Sequence, residues 1–70
     1  MDRSIDYVIA VAECKSISQA AEMLYISQPS LSRYLSNLEN ELGVNLFVRT
    51  LNGTELTAAG KIYLEYAKEI

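Results

Sequence analysis

Residues 16–43 read SISQAAEMLYISQPSLSRYLSNLENELG, and the reading of this stretch decides the fold. Its second half is a helix by pattern. Leu31, Leu35, Leu38 and Leu42 recur at intervals of 4, 3 and 4, which makes one stripe at about 100° per residue. Ser27 is placed to cap that helix, and Pro29 fits its first turn, where a missing N–H is harmless. Gly43 supplies a left-handed stop. The opposite face carries Pro29, Arg33, Ser36 and Asn40, with Ser30, Ser32 and Asn37 beside it. It is polar, mostly uncharged, and rich in groups that both donate and accept hydrogen bonds. The first half predicts a short helix over 19–24. Ala20, Ala21 and Leu24 form its buried side, and the two alanines let another helix come close. Two caps compete for its start: Ser18 alone, or Ser16 with Gln19 as a capping box. Tyr25-Ile26-Ser27 leaves room only for a tight turn.

Upstream, a helix is expected over 4–14. Ile5, Val8, Ile9 and Ala12 fall on one line, and Tyr7, Val11 and Cys14 on a second. A helix apolar on two sides is deeply buried or touches a second subunit. Lys15 and Ser16 end it. Cys14 reads as a small core residue. Downstream of Gly43 the period changes. Val44, Leu46, Phe47 and Val48 favour strand, and Asn52-Gly53 signals a hairpin turn, so a two-stranded hairpin is expected over 46–56. Thr57 is placed to cap a last helix over 58–70. The expected fold is mostly α with a small β-hairpin: a winged helix-turn-helix over residues 1–57, then a linker helix beginning at 58.

Composition narrows the function. Seventy residues, half of them hydrophobic, make one small domain. A chain this short buries only about 60% of its unfolded surface, which leaves little room for an enclosed active site. There is no His, and one Cys makes neither an internal disulfide nor a zinc site. No nucleophile–base pair is evident. An enzyme is therefore not expected, nor a metal or any other cofactor. No apolar run approaches the ~20 residues that span a bilayer. Met1-Asp2-Arg3 leads directly into patterned sequence, so no signal peptide is visible, and a cytoplasmic protein is expected.

The charge runs the other way. Six Lys and Arg against nine Asp and Glu give a net charge of −3, whereas a nucleic-acid binder usually carries a basic face. Location matters more than the total. Residues 25–38 contain Arg33 and no acid. Glu39 and Glu41 read as a solvated helix flank. A short helix, a tight turn and a longer polar helix have the layout of a helix-turn-helix. In that motif the first helix braces, and the second offers its N-terminal polar face to the major groove, while a hairpin can lie against the backbone beside it. The competing reading, which the acidity suits, is a winged helix used for protein–protein contact.

Four motifs then resemble one family. They are Ala20-Ala21-Glu22-x-Leu24, Ser27-Gln28-Pro29-Ser30-Leu31-Ser32-Arg33, Leu38-Glu39-x-Glu41-Leu42-Gly43-x-x-Leu46-Phe47-x-Arg49, and Leu56-Thr57-x-Ala59-Gly60. In order and spacing they resemble the N-terminal domain of LysR-type transcriptional regulators over nearly the whole chain. The resemblance implies a bacterial winged helix-turn-helix that binds double-stranded DNA at an inverted repeat. It implies a homodimer, or a higher homo-oligomer, joined by the linker helix. It also implies an effector-binding domain following this one, so that a small-molecule effector would act only through that missing part. Two departures stand out. Positions after Arg33 that often carry further cations read Tyr34, Ser36 and Asn37, and the wing turn reads Leu51-Asn52-Gly53-Thr54-Glu55. A shallow dependence of affinity on salt is therefore expected.

The expected DNA-contacting residues are Gln28, Pro29, Ser30, Ser32, Arg33, Ser36 and Asn37 on the recognition helix. On the wing they are Arg49, Thr50, Asn52 and Thr54. Arg33 can fork onto guanine or hold a phosphate. Arg49 can reach a phosphate or pair with Glu39 or Glu41. Tyr34 leans towards the leucine side and is expected to be partly buried. For pairing of subunits, Ile62, Tyr66 and Ile70 mark one line on the last helix, and Tyr63, Ala67 and Ile70 another. One line should dock on the first helix and the other should meet its twin.

Overall fold

Helix α1, Ser4–Cys14, is the element on which the others assemble: α2, α3, the hairpin's second strand and α4 all pack against it. The computed structural model describes residues 3–68, with side chains to Ala67. After α1 come α2 (Ile17–Leu24), α3 (Gln28–Leu42), β1 (Phe47–Thr50), β2 (Gly53–Leu56) and α4 (Ala58–Lys68). Val8 and Val11, one from each apolar line of α1, are both fully buried. They meet Ala20 and Ala21 of α2, Leu31, Leu35 and Leu38 of α3, Leu46, and Leu64 of α4 in one core.

Local signals set most of the boundaries. Lys15 adopts a left-handed φ of 54°, and its amide bonds back to the Val11 carbonyl, closing α1. Ser16, not Ser18, caps α2: its hydroxyl accepts from the Gln19 amide at 3.1 Å. This choice brings Ile17 into the helix, where it packs against the core; a cap at Ser18 would leave it outside. Tyr25 turns the chain with a φ of 59°. Ser27 then caps α3, with Pro29 in the first turn and Gly43 left-handed at the end. The expected leucine stripe holds for Leu31, Leu35 and Leu38, but Leu42 is 44% exposed. It lies in the last turn, where it borders a surface hollow with Val44 and Ile62.

The hairpin turn falls one residue earlier than the Asn52-Gly53 signal suggests. Thr50 pairs with Gly53, so Leu51 and Asn52 form the loop. A primed turn needs positive φ at its first central residue, and type I′ at both; neither Leu51 nor Asn52 has it. Here Gly53 carries the positive φ, 116°. It also lies so close to the Lys15 carbonyl that an added Cβ would clash with it. The Thr50 hydroxyl accepts from the Asn52 amide and donates to the Gly53 carbonyl, which closes the turn.

Glu39 is not a solvated flank. It is half-buried, and its carboxylate accepts from the backbone amides of Leu46 and Phe47. This ties the end of α3 to the start of β1. Thr57 begins α4 as expected, its hydroxyl accepting from the Gly60 amide at 3.0 Å. The helix then docks through Gly60 and Leu64, with half-buried Tyr63 beside them. Leu64 belongs to neither apolar line expected from the sequence. Of those lines, Ile70 lies outside the described residues.

Candidate nucleic-acid interface

The polar side of α3 faces outward because its leucines face inward. Gln28, Pro29, Ser30, Arg33, Ser36 and Asn37 are exposed, and Ser32 is half-buried. The Ser30 hydroxyl accepts from the Ser27 hydroxyl at 2.8 Å, so it is partly engaged in capping. Tyr34 is drawn inward as expected. Its ring meets Tyr7 edge-on with centroids 4.7 Å apart, and its hydroxyl bonds to Ser4 at 2.8 Å. That contact braces α3 on α1.

The hairpin lies alongside this face. Ser32 and Ser36 of α3 share a surface hollow with Val48 and Arg49 of β1. Arg49 is exposed and is not paired with Glu39, whose carboxylate is occupied by backbone amides. Neither Arg33 nor Arg49 is matched by a carboxylate among the described residues, so both guanidinium groups are available to an anion. Thr50 and Asn52 stand exposed at the hairpin end. Thr54 does not: it is 6% exposed, and its amide donates to the Lys15 carbonyl. Its backbone is engaged in the fold, and it lines the hollow beside Ser32 and Ser36 as well as the cleft beside Lys15 and Arg49.

Two residues that the sequence reading passed over reach the same surface. Lys15 and Ser18 border a cleft together with Gln28 and Arg49. Lys15 was read only as the end of α1. Its polar neighbours before α2 repeat the hydroxyl-rich start of α3, which is the signal that could have marked them.

On α4, Ile62 and Tyr66 are 68% and 75% exposed, and Ile62 borders a hollow with Leu42 and Val44. Tyr63 and Ala67 are half-buried, and Tyr63 packs against the core. Among the described residues no helix is long and apolar enough to cross a membrane, and no cluster of side chains could hold a metal ion.

A braced helix pair joined by a tight turn, followed by a hairpin beside the exposed helix face, defines a winged helix-turn-helix. Residues 3–61 match the model of the bacterial regulatory helix-turn-helix proteins of the lysR family. The chain belongs to that family, and it is the DNA-binding domain of a LysR-type transcriptional regulator. It is 46% identical over 68 residues to the HTH-type transcriptional regulator TfdT of Cupriavidus pinatubonensis, covering 97% of this chain and 30% of that protein. The chain thus spans under a third of that relative's length. Among solved structures, the DNA-binding domain of CbnR in complex with DNA superimposes with a TM-score of 0.86 at 46% identity, covering 99% of this chain and 80% of that one. The BenM DNA-binding domain on the catB site 1 DNA gives 0.87 at 40% identity, covering 99% and 75%.

Proposed function

We propose that this chain binds double-stranded DNA sequence-specifically, with α3 in the major groove and the β1–β2 wing on the sugar-phosphate backbone. The observation that carries this reading is the exposed, uncompensated Arg33 on an acid-free helix face. The core does not need that face, and the Tyr34–Ser4 and Tyr34–Tyr7 contacts hold it in place. Arg33 reads a base or grips a phosphate. Gln28, Pro29, Ser30, Ser32, Ser36 and Asn37 make shorter-range contacts around it. Arg49, Thr50 and Asn52 meet the backbone. CbnR and BenM domains of the same fold are found on DNA, which supports this placement.

A single copy offers one short recognition helix and few cations, too little for tight specific binding by a module of this size. Two copies would read the half-sites of an inverted repeat. In this reading residues 1–57 contact DNA, and α4 pairs subunits through Ile62 and Tyr66. The working location is the cytoplasm, on the nucleoid when DNA is bound. An effector acts through parts of the regulator outside this chain.

The test is enrichment of duplexes from a random pool by the domain, followed by titration of the winning duplex across a salt series. One enriched motif, with affinity falling as salt rises, is expected. Absence of any binding at low salt would favour the protein-contact reading that the net charge of −3 suits.

A further inference from the structure

We propose that the cleft bordered by Lys15, Ser18, Gln28 and Arg49 seats one DNA backbone phosphate. The inference rests on the DNA-binding reading above and adds Lys15 and Ser18 to it.

The cleft is open and polar, about 250 Å³ in volume. It draws its walls from the α1–α2 turn and the first turn of α2, from the first residue of α3, and from both strands of the hairpin, Arg49 on β1 and Gly53 and Thr54 on β2. Two of the chain's six cations, Lys15 and Arg49, line it, and no acid among the described residues does. In a chain of net charge −3 that is a local reversal of sign, and a tetrahedral oxyanion is the ligand it suits. Ser18 adds a hydroxyl donor and Gln28 an amide donor. The backbone contributes as well. The Ser16 hydroxyl takes the Gln19 amide and the Ser16 carbonyl takes the Ala20 amide, which leaves the Ile17 and Ser18 amides open at the start of α2.

The site is built before any ligand arrives. The Lys15 carbonyl accepts from the Thr54 amide at 3.0 Å, and Gly53 closes on the same carbonyl. The element bearing Lys15 and the wing bearing Arg49 are therefore locked together. A phosphate between them meets two preset cations. The cleft also adjoins Gln28, where the recognition face begins. A strand laid along α3 would pass it on the way to the wing.

Two sources share this chemistry, a DNA phosphodiester and free phosphate, and two measurements separate them. Lys15→Asn keeps a residue that tolerates left-handed backbone, and Ser18→Ala removes one exposed hydroxyl, so both should melt as the wild type does. In duplex titrations over a salt series, Lys15→Asn should weaken binding several-fold at low salt and lower the salt slope by about 1. Combined with Arg49→Gln it should lose less than the sum of the two single changes, because both cations grip one group. In parallel, inorganic phosphate is titrated at constant ionic strength while the Ile17 and Ser18 amide resonances are followed. Saturating shifts in the wild type that Lys15→Asn abolishes would show that the cleft takes the free anion as well. Unchanged duplex affinity and slope in Lys15→Asn would overturn the proposal. If the wild type binds no duplex at all, the DNA-binding reading fails by itself. The cleft then stands as an anion site on the phosphate shifts, or falls without them.

Discussion

The carboxylate of Glu39 accepts the backbone amide of Leu46 at 2.6 Å, and that of Phe47 at 3.2 Å. One side chain from α3 thus fixes where the wing begins. Glu39→Ala removes the acceptor and leaves two amides unmatched beside the fully buried Leu46. A hydrogen bond to a charged partner contributes about 1.5–3 kcal/mol. We expect a loss in that range by urea denaturation, with Glu39→Gln, which keeps one carbonyl acceptor, losing less. Equal stability of Glu39→Ala and wild type would show that the tie is dispensable.

Gly60 poses a contest between propensity and space. Alanine is the better helix former by about 1 kcal/mol. Its Cβ, however, would run into the Leu46 carbonyl and crowd Leu56. Backbone cannot yield as a side-chain tip can, and overpacking costs about 1–3 kcal/mol. Gly60→Ala should therefore lower the melting temperature. A rise would mean that α4 slides outward at little cost.

Ala21 is buried where α2 meets α1 and α3. Ala21→Leu should cost about 1–3 kcal/mol by the same overpacking, a large share of a small domain's stability. Thermal melting reads the effect directly, and an unchanged midpoint would place that side chain at the surface.

Arg33→Ala should leave the melt unchanged, since the side chain is exposed and unpaired. Specific affinity should fall by about 1–3 kcal/mol, the worth of a good base contact. Fluorescence anisotropy with the enriched duplex measures this. Full retention of affinity would mean that another face reads the DNA.

Ile62→Glu and Tyr66→Glu place charge on the exposed line of α4 without touching its buried side. Both should spare the fold and dissociate the full-length regulator, as followed by sedimentation across a concentration series. Tyr63→Glu should instead damage the fold, because Tyr63 packs against the core. Persistent assembly in both exposed-line variants would remove α4 from the pairing surface.

Where periodicity or a cap ruled, the sequence was readable. Both long apolar lines of α1, the Ser27 cap, Pro29 and the Gly43 stop are all found as their chemistry predicts. What escaped was set by contacts distant along the chain. Thr54 looks like any polar turn residue until the Lys15 carbonyl claims its amide. Glu39 looks solvated until the chain after Gly43 folds back onto it. Leu64 stands alone in its helix pattern and becomes the docking residue only because α1 lies beneath it. The exposed polar face proposed to contact DNA was legible on α3, where one helix presents it. The cleft at Lys15 and Ser18 was not, because they join Gln28 and Arg49 only through the fold.

The bond from Thr54 to Lys15 changes how the wing can move. A two-stranded hairpin in water is marginal by itself. This one is fastened to the helical body by the Thr54 amide on the Lys15 carbonyl at one end and by the Leu46 and Phe47 amides on the Glu39 carboxylate at the other. It is therefore expected to open with the helices, as part of the same cooperative unit. The entropy of ordering the wing is lost when the domain folds, so in the proposed reading a duplex reaching Arg49 would meet a limb already at rest.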